Sequence, residues 1–231
     1  MLKYKSILQL FQSFYLFVYK SLNPFKMTNT KTYSYPEVTQ WLEKKGAELY
    51  GINFKILESD HTVIFQLIAY FLKDEVQCHQ WNIDLSKGIL LAGPIGSGKT
   101  SLMNLMKHLT PIEHKFYVKT CREVGFEFIQ EGYQIIHKYS IGKLYHSEAR
   151  TICFDDLGIE NNLKYFGNDC NVMAEILLSR YDIYISKNIR THLTTNLSAS
   201  EIETMYGNRV RSRLRSMCNL IAFDQATPDK R

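Results

Sequence analysis

The segment Gly93-Pro-Ile-Gly-Ser-Gly-Lys-Thr100 constrains this chain more than any other, because it imposes a strand, a tight loop and a helix in that order. It satisfies the pattern G-x-x-x-x-G-K-[ST], follows the apolar run from Gly88 to Ala92 and opens a helical stretch. Glycines let such a loop curl, so that the backbone of Gly93, Pro94, Ile95, Gly96, Ser97, Gly98, Lys99, Thr100 and Ser101 can wrap a polyphosphate. Its N–H groups turn inward, and the following helix adds its partial positive end. Lys99 is the expected counter-ion of the β- and γ-phosphates, and Thr100 the expected hydroxyl ligand of Mg²⁺. A chance glycine-rich turn needs neither the lysine nor the hydroxyl, so ATP with Mg²⁺ is the expected cofactor.

Around this loop, short apolar runs alternate with stretches long enough to hold crossover helices. The runs are Gly88 to Ala92, Lys115 to Lys119, Thr151 to Phe154, Arg190 to Thr195 and Leu220 to Phe223. Alternation of this kind predicts an α/β unit with a parallel five-stranded sheet sandwiched by helices. Val172, Met173, Ile176, Leu177 and Tyr181 form a stripe suited to a helix packed on that sheet. Tyr35 to about Gln80 reads as a short helical N-terminal segment, with Val38, Trp41 and Leu42 and then Val63, Ile64, Leu67, Ile68 and Phe71 at spacings of three and four, and Asp60 as cap of the second helix. The expected division is an extension over 1–26, a helical segment over 27–85 and an ATPase core over 86–231.

Three further clusters carry chemistry. Thr151-Ile-Cys-Phe-Asp-Asp156 is an apolar strand ending in two carboxylates. Beside a phosphate loop, Asp155 is the expected partner of Mg²⁺ and Asp156 the group that polarises the attacking water. Arg190 to Asn196 is a polar-ended strand; Asn196 either positions the lytic water between the nucleotide-contacting strands or serves as a turn residue. Ser198 and Glu201 fit a capping box for the next helix. On that helix Val210, Leu214 and Met217 face inward, leaving Arg209 with Arg213 on one flank and Arg211 with Arg215 on the other. Such a helix is either a solvated basic face or the source of an arginine that reaches a neighbouring subunit's γ-phosphate, with the other flank free to meet DNA phosphates.

Composition narrows the classes. No apolar run reaches the roughly 18–20 residues of a bilayer-spanning helix, which disfavours an integral membrane protein. Cys78, Cys121, Cys153, Cys170 and Cys218 stand singly, so neither a zinc site nor a disulfide framework is expected. The net charge of +5 owes four lysines to residues 1–26, which hold no acid; without them 24 basic residues face 23 acidic ones. A polyanion site therefore has to come from local clusters. Residues 1–26 read as a secretory signal without a cleavage site, as an amphipathic surface helix, or as codons ahead of a start at Met27, the last being the favoured reading.

The stretches GILLAGPIGSGKT, CFDDLG and THLTTNLSASEIETMYGNRVRSRLR resemble the DnaC/IstB-like AAA+ ATPases, bacterial helicase loaders and transposon ATPase subunits, over roughly residues 60–231. The resemblance implies a P-loop NTPase fold of the AAA+ type, without a C-terminal lid domain because only eight residues follow Phe223. It implies Lys99 and Asp156 as catalytic groups, Asn196 as sensor 1, Arg213 as the arginine finger with Arg209 as alternative, and Lys230 or Arg231 for a sensor 2 role. The activity implied is ATP hydrolysis in a nucleotide-dependent, cytoplasmic homo-oligomer on single-stranded DNA that loads or remodels a replicative helicase. A regulator of a transposase on a mobile element is the alternative. A P-loop kinase fits less well, given the Asp-Asp strand end and the lack of an arginine-rich lid, and a nucleotide-switched binding module is the remaining class. The short segment before residue 85 carries no zinc-like cysteines, so a full helicase-binding N-terminal domain is not expected.

Overall fold

The computed structural model of the chain describes residues 33–142, 149–160, 163–165 and 168–230. The extension over 1–26, and Arg231 as a sensor 2 candidate, lie outside the described residues.

Three helices lead into the sheet. Helix α1 (Tyr35–Tyr50) opens at a capping box, the Ser34 hydroxyl accepting from the Glu37 N–H while the Glu37 carboxylate accepts from the Ser34 N–H at 3.0 Å. Helix α2 (His61–Phe71) turns Val63, Ile64, Leu67, Ile68 and Phe71 inward, as their spacing predicts. Helix α3 (Glu75–Gln80) is capped by Asp74, whose carboxylate accepts from the Gln77 N–H at 3.2 Å. Asp60 does not cap α2 as expected. It sits in a 3₁₀ turn (Glu58–Asp60) with helical backbone angles, whereas a capping residue needs extended ones to swing its side chain over the free N–H groups. Its carboxylate meets Lys230 instead.

Strands β1 (Gly88–Ala92), β2 (Tyr117–Thr120) and β3 (Ile152–Leu157) are followed by a short antiparallel ribbon, β4 (Leu163–Tyr165) with β5 (Asn168–Cys170), and then by β6 (Thr191–Thr195) and β7 (Cys218–Ala222). β1, β2, β3, β6 and β7 form one parallel sheet in the order β2-β3-β6-β1-β7. Helices α4 (Lys99–Leu109), α5 (Cys121–Glu131), α6 (Gln134–Ser140), α7 (Val172–Lys187) and α8 (Ala199–Met217) cover it. Several strand limits differ from the apolar runs. β2 starts only at Tyr117, β3 continues through both aspartates to Leu157, and β7 starts at Cys218, because ladder pairing with a neighbour, and not side-chain character, sets where a strand begins and ends; Gly88 pairs with Cys218, for example. The β4–β5 ribbon lies outside the five apolar runs and is not expected from them.

Both faces of the sheet are buried, as a parallel sheet requires, and side chains alternate between two cores. Ile89, Leu91, Cys153 and Ile221 point to the side where Val38 and Leu42 of α1, helix α2, and Met103 and Met106 of α4 pack. Leu90, Ile152, Phe154, Leu193 and Cys218 point to the side of α5, α7 and α8. Ile176 and Leu177 of the expected α7 stripe are fully buried there, as are Val210, Leu214 and Met217 of α8 at 1%, 3% and 1% exposure. Arg180 of α7 is also buried: its guanidinium donates to the Thr191 hydroxyl at 2.9 Å and to the Arg150 and Arg190 carbonyls at 3.0 and 2.8 Å, satisfying backbone acceptors where β3 and β6 begin.

Candidate nucleotide site

The phosphate loop joins the C-terminal end of β1 to α4. Gly96 and Gly98 hold φ of 79° and 89°, left-handed angles that a side chain resists, and Gly98 directly precedes the helix. Lys99 is 5% exposed and folds back onto its own loop, its ammonium donating to the Gly93 and Pro94 carbonyls at 2.8 Å each. Burial pulls its pKa down, opposed by the charges of Asp156 and Asp155. The two carbonyls hold the Lys99 head group against the loop.

Asp155 and Asp156 are adjacent in β3, and in a regular strand their side chains would face opposite sides of the sheet. The register resolves this. Phe154 pairs with Leu193 and Leu157 with Thr195, so two aspartates lie opposite the single residue Thr194, a β-bulge. Asp156 takes the left-handed φ of 55° at the bulge and lines the cavity in front of the phosphate loop. Asp155 accepts from the Thr100 hydroxyl at 3.0 Å and from the Thr194 hydroxyl at 2.7 Å. Burial raises its pKa, and Asp156 pushes the same way, while the Thr194 and Thr100 bonds lower it. An oxygen-only pair of a buried carboxylate and a hydroxyl, at the edge of a phosphate loop, fits Mg²⁺, a hard cation that keeps several waters and needs few protein ligands. Among the described residues no group of three His, Cys, Asp or Glu side chains is placed to hold a metal on its own.

Strand β6 lies between β1 and β3, so its end carries Asn196 between the phosphate loop and the two aspartates. The cavity, about 1040 Å³, is lined by Ile95, Gly96, Gly98, Lys99, Thr100, Ser101, Asp156 and Asn196. It also has walls that sequence reasoning missed. Tyr50, Asn53, Phe54, Lys55 and Leu57 come from the end of α1 and the linker to α2, and Pro228, Asp229 and Lys230 from the C-terminal tail. The one local signal for the linker was Gly46, where a Cβ would stand 2.2 Å from the Phe54 ring; the glycine lets the linker fold back onto α1. Lys230, at the cavity wall, donates to the Ser97 carbonyl at 2.8 Å and to Asp60 at 2.5 Å.

The arginine helix α8 opens on the expected capping box of Ser198 and Glu201 and is kinked at Gly207, whose φ of 86° and ψ of 158° interrupt it. Arg213 does not line the cavity of its own subunit. Its guanidinium stacks over the Tyr181 ring of α7 at 4.2 Å. Arg211 pairs with Glu203 at 2.5 Å, while Arg209 and Arg215 are exposed. Just before the kink, Tyr206 donates to the Glu160 carboxylate, which also accepts from the Gly158 N–H at 3.1 Å. Burial raises the Glu160 pKa, the bond from Tyr206 opposing it. The loop that leaves the aspartate strand is thus tied to the arginine helix, a link between residues 46 positions apart.

No protein-family model and no curated protein sequence matches the chain. Among solved structures, the DnaC helicase loader superposes with a TM-score of 0.51 at 18% identity, covering 73% of this chain and 92% of that one. DnaI matches with a TM-score of 0.47 at 17% identity over 73% of this chain and 87% of its own. AMPPCP-bound DnaA from Aquifex aeolicus matches with a TM-score of 0.45 at 14% identity over 74% and 48%. Among the described residues no helix is long and apolar enough to cross a membrane. In fold, the parallel sheet of order β2-β3-β6-β1-β7 flanked by helices is similar to that of the DnaC helicase loader.

Proposed function

We propose that the chain is an ATPase that binds ATP with Mg²⁺ and hydrolyses it in a homo-oligomer on single-stranded DNA, loading or remodelling a replicative helicase. The observation that carries the ATPase reading is the convergence of Lys99, Thr100, Asp156 and Asn196 on one cavity, with Asp155 bonded to Thr100 behind them.

In this reading the phosphate-loop N–H groups bind the polyphosphate, and Lys99 exchanges the Gly93 and Pro94 carbonyls for phosphate oxygens. Thr100 and Asp155 hold Mg²⁺, which supplies charge neutralisation of the phosphates when bound. Asp156 accepts the proton of the attacking water and Asn196 orients that water. Tyr50 and Phe54, whose rings lie 5.6 Å apart at the cavity wall, offer an apolar contact for the base. Arg213, held away from its own site on Tyr181, reaches the γ-phosphate of an adjoining subunit. The helicase part of the proposal follows the likeness to the DnaC helicase loader, and the DNA part follows the exposed Arg209 and Arg215 of α8.

The test is ATP turnover per subunit over a range of protein concentrations, with and without single-stranded DNA, using Asp156→Asn as the blank. A specific rate that climbs with concentration or with DNA supports shared sites in an oligomer. A rate independent of both indicates a self-contained site and overturns the loader reading. Co-purification of a hexameric helicase, rather than a transposase, separates the two partners.

A further inference from the structure

The far end of the sheet, opposite the nucleotide cavity, carries a cluster of basic side chains. Lys73 follows α2, His114 closes the 3₁₀ turn Ile112–His114 ahead of β2, and Arg190 immediately precedes β6. All three are half-buried and line one hollow, walled by Tyr70, Phe71 and His192, with Thr110 and Thr151 at its rim. Arg190 lies 3.4 Å from the Nδ1 of His114, and a guanidinium has only donors. In that contact Nδ1 can only accept, and burial together with Lys73 and Arg190 lowers the His114 pKa, which favours the neutral ring. Every polar group that Lys73, Arg190 and His114 have left to offer is a donor.

Among the described residues none of the three is paired with a carboxylate. The acids that influence them are Asp84, occupied by the Ser86 N–H at 2.8 Å and its hydroxyl at 2.6 Å, and Glu113, exposed beside His114. Crowding of like charges without a counter-ion is unfavourable, and burial together with Arg190 lowers the Lys73 pKa to about 8. Such an arrangement marks a place where an anion completes the site.

The topology extends the cluster into a row. In a parallel sheet all strands start at the same edge, and here a cation stands just ahead of four adjacent strands: Lys115 before β2, Arg150 before β3, Arg190 before β6 and Lys87 before β1. With neighbouring strands about 4.8 Å apart, the row is about 15 Å long. The hollow itself, about 10 Å³, admits one oxygen atom and no small molecule. A single terminal oxygen entering from a chain of phosphates fits both features.

We propose that this edge binds the phosphodiester backbone of single-stranded nucleic acid, one phosphate seating an oxygen among Lys73, His114 and Arg190. The inference rests on the nucleic-acid half of the proposed function and is independent of the ATPase half. Lys73 offers a clean variant: its φ of 60° is one that glycine adopts freely, so Lys73→Gly removes the cation without straining the backbone.

The experiment measures anisotropy of a labelled oligothymidylate with the full chain at several salt concentrations, in a Lys99→Ala background that silences the phosphate loop, and adds inorganic pyrophosphate as a competing probe. Lys73→Gly and Arg190→Gln are expected to weaken oligonucleotide binding by roughly 10-fold at low salt and each to flatten the log–log salt slope by about one. The unfolding temperature of Lys73→Gly is expected at or above that of the parent. Unchanged affinity and slope in both variants overturn the proposal while leaving DNA binding elsewhere intact, for instance on Arg209 and Arg215. Loss of pyrophosphate binding with oligonucleotide binding unchanged also overturns it, in favour of a free-phosphate site. If the parent binds no oligonucleotide even at low salt, the DNA reading and this inference fall together, and ATP turnover tells whether the ATPase reading survives.

Discussion

The backbone N–H of Asp156 donates to the Thr194 hydroxyl at 2.9 Å, and the same hydroxyl donates to the Asp155 carboxylate at 2.7 Å. One fully buried threonine in the middle of the sheet thus holds both acids of the site in place across the β3–β6 bulge.

Thr194→Val keeps the shape and removes the hydroxyl, leaving a buried N–H and a carboxylate oxygen without this partner. The expected cost is about 1–3 kcal/mol of stability. Turnover should fall by roughly 10-fold to 100-fold through misplacement of Asp156, with ATP affinity nearly unchanged. Chemical denaturation and single-turnover kinetics check the two effects, and a variant with wild-type turnover removes the positioning role.

Burial holds the Asp155 carboxyl above its ordinary range. For an acid whose folded pKa exceeds its unfolded one, the stability it contributes is present below the unfolded pKa and is lost as pH rises through the folded pKa. Asp155→Asn should therefore raise the unfolding temperature of the nucleotide-free protein at pH 7, with the gain shrinking as pH falls through the carboxylate range. Mg²⁺ should no longer add to ATP-dependent stabilisation. Thermal scans at several pH values check this; a gain that does not depend on pH refutes the assignment to the Asp155 charge.

Asp156 sits at a left-handed φ of 55°, which Asn tolerates well. Asp156→Asn should keep the fold and the affinity for ATP but lose the proton acceptor, lowering turnover by roughly 10²- to 10⁴-fold and trapping bound ATP. Nucleotide retention after gel filtration is the readout. Loss of binding instead of turnover would move Asp156 from chemistry to nucleotide capture.

Arg213 rests on the Tyr181 ring rather than at its own cavity. Arg213→Ala should cut turnover by roughly 10³-fold while each isolated subunit still binds ATP. Mixing it with Lys99→Ala should restore part of the activity, because each subunit then supplies what the other lacks. Arg213→Lys should not rescue, since an ammonium cannot reproduce the planar fork of the guanidinium. An equal loss of ATP binding in Arg213→Ala places the arginine in cis.

Local pattern was enough for the fold class. The phosphate loop, the helix stripes such as Ile176 with Leu177, and the Ser198–Glu201 capping box are contiguous, each a matter of spacing within about one or two helical turns, so local residue order specifies them. The alternation of apolar runs likewise predicted five parallel strands, though pairing partners, and not side-chain character, set where those strands begin. The rest depends on contacts between distant segments. Thr194 comes under the aspartates because β6 inserts between β1 and β3, and the bulge that turns both acids to their places exists only as a mismatch of two strands. Residues 50–57 and the tail reach the cavity by folding back over long stretches of chain, Tyr206 finds Glu160 across the sheet's end, and the cations ahead of four strands align only once those strands are parallel. Strand order and register depend on contacts between residues far apart in the chain, and no spacing rule within a single segment encodes them.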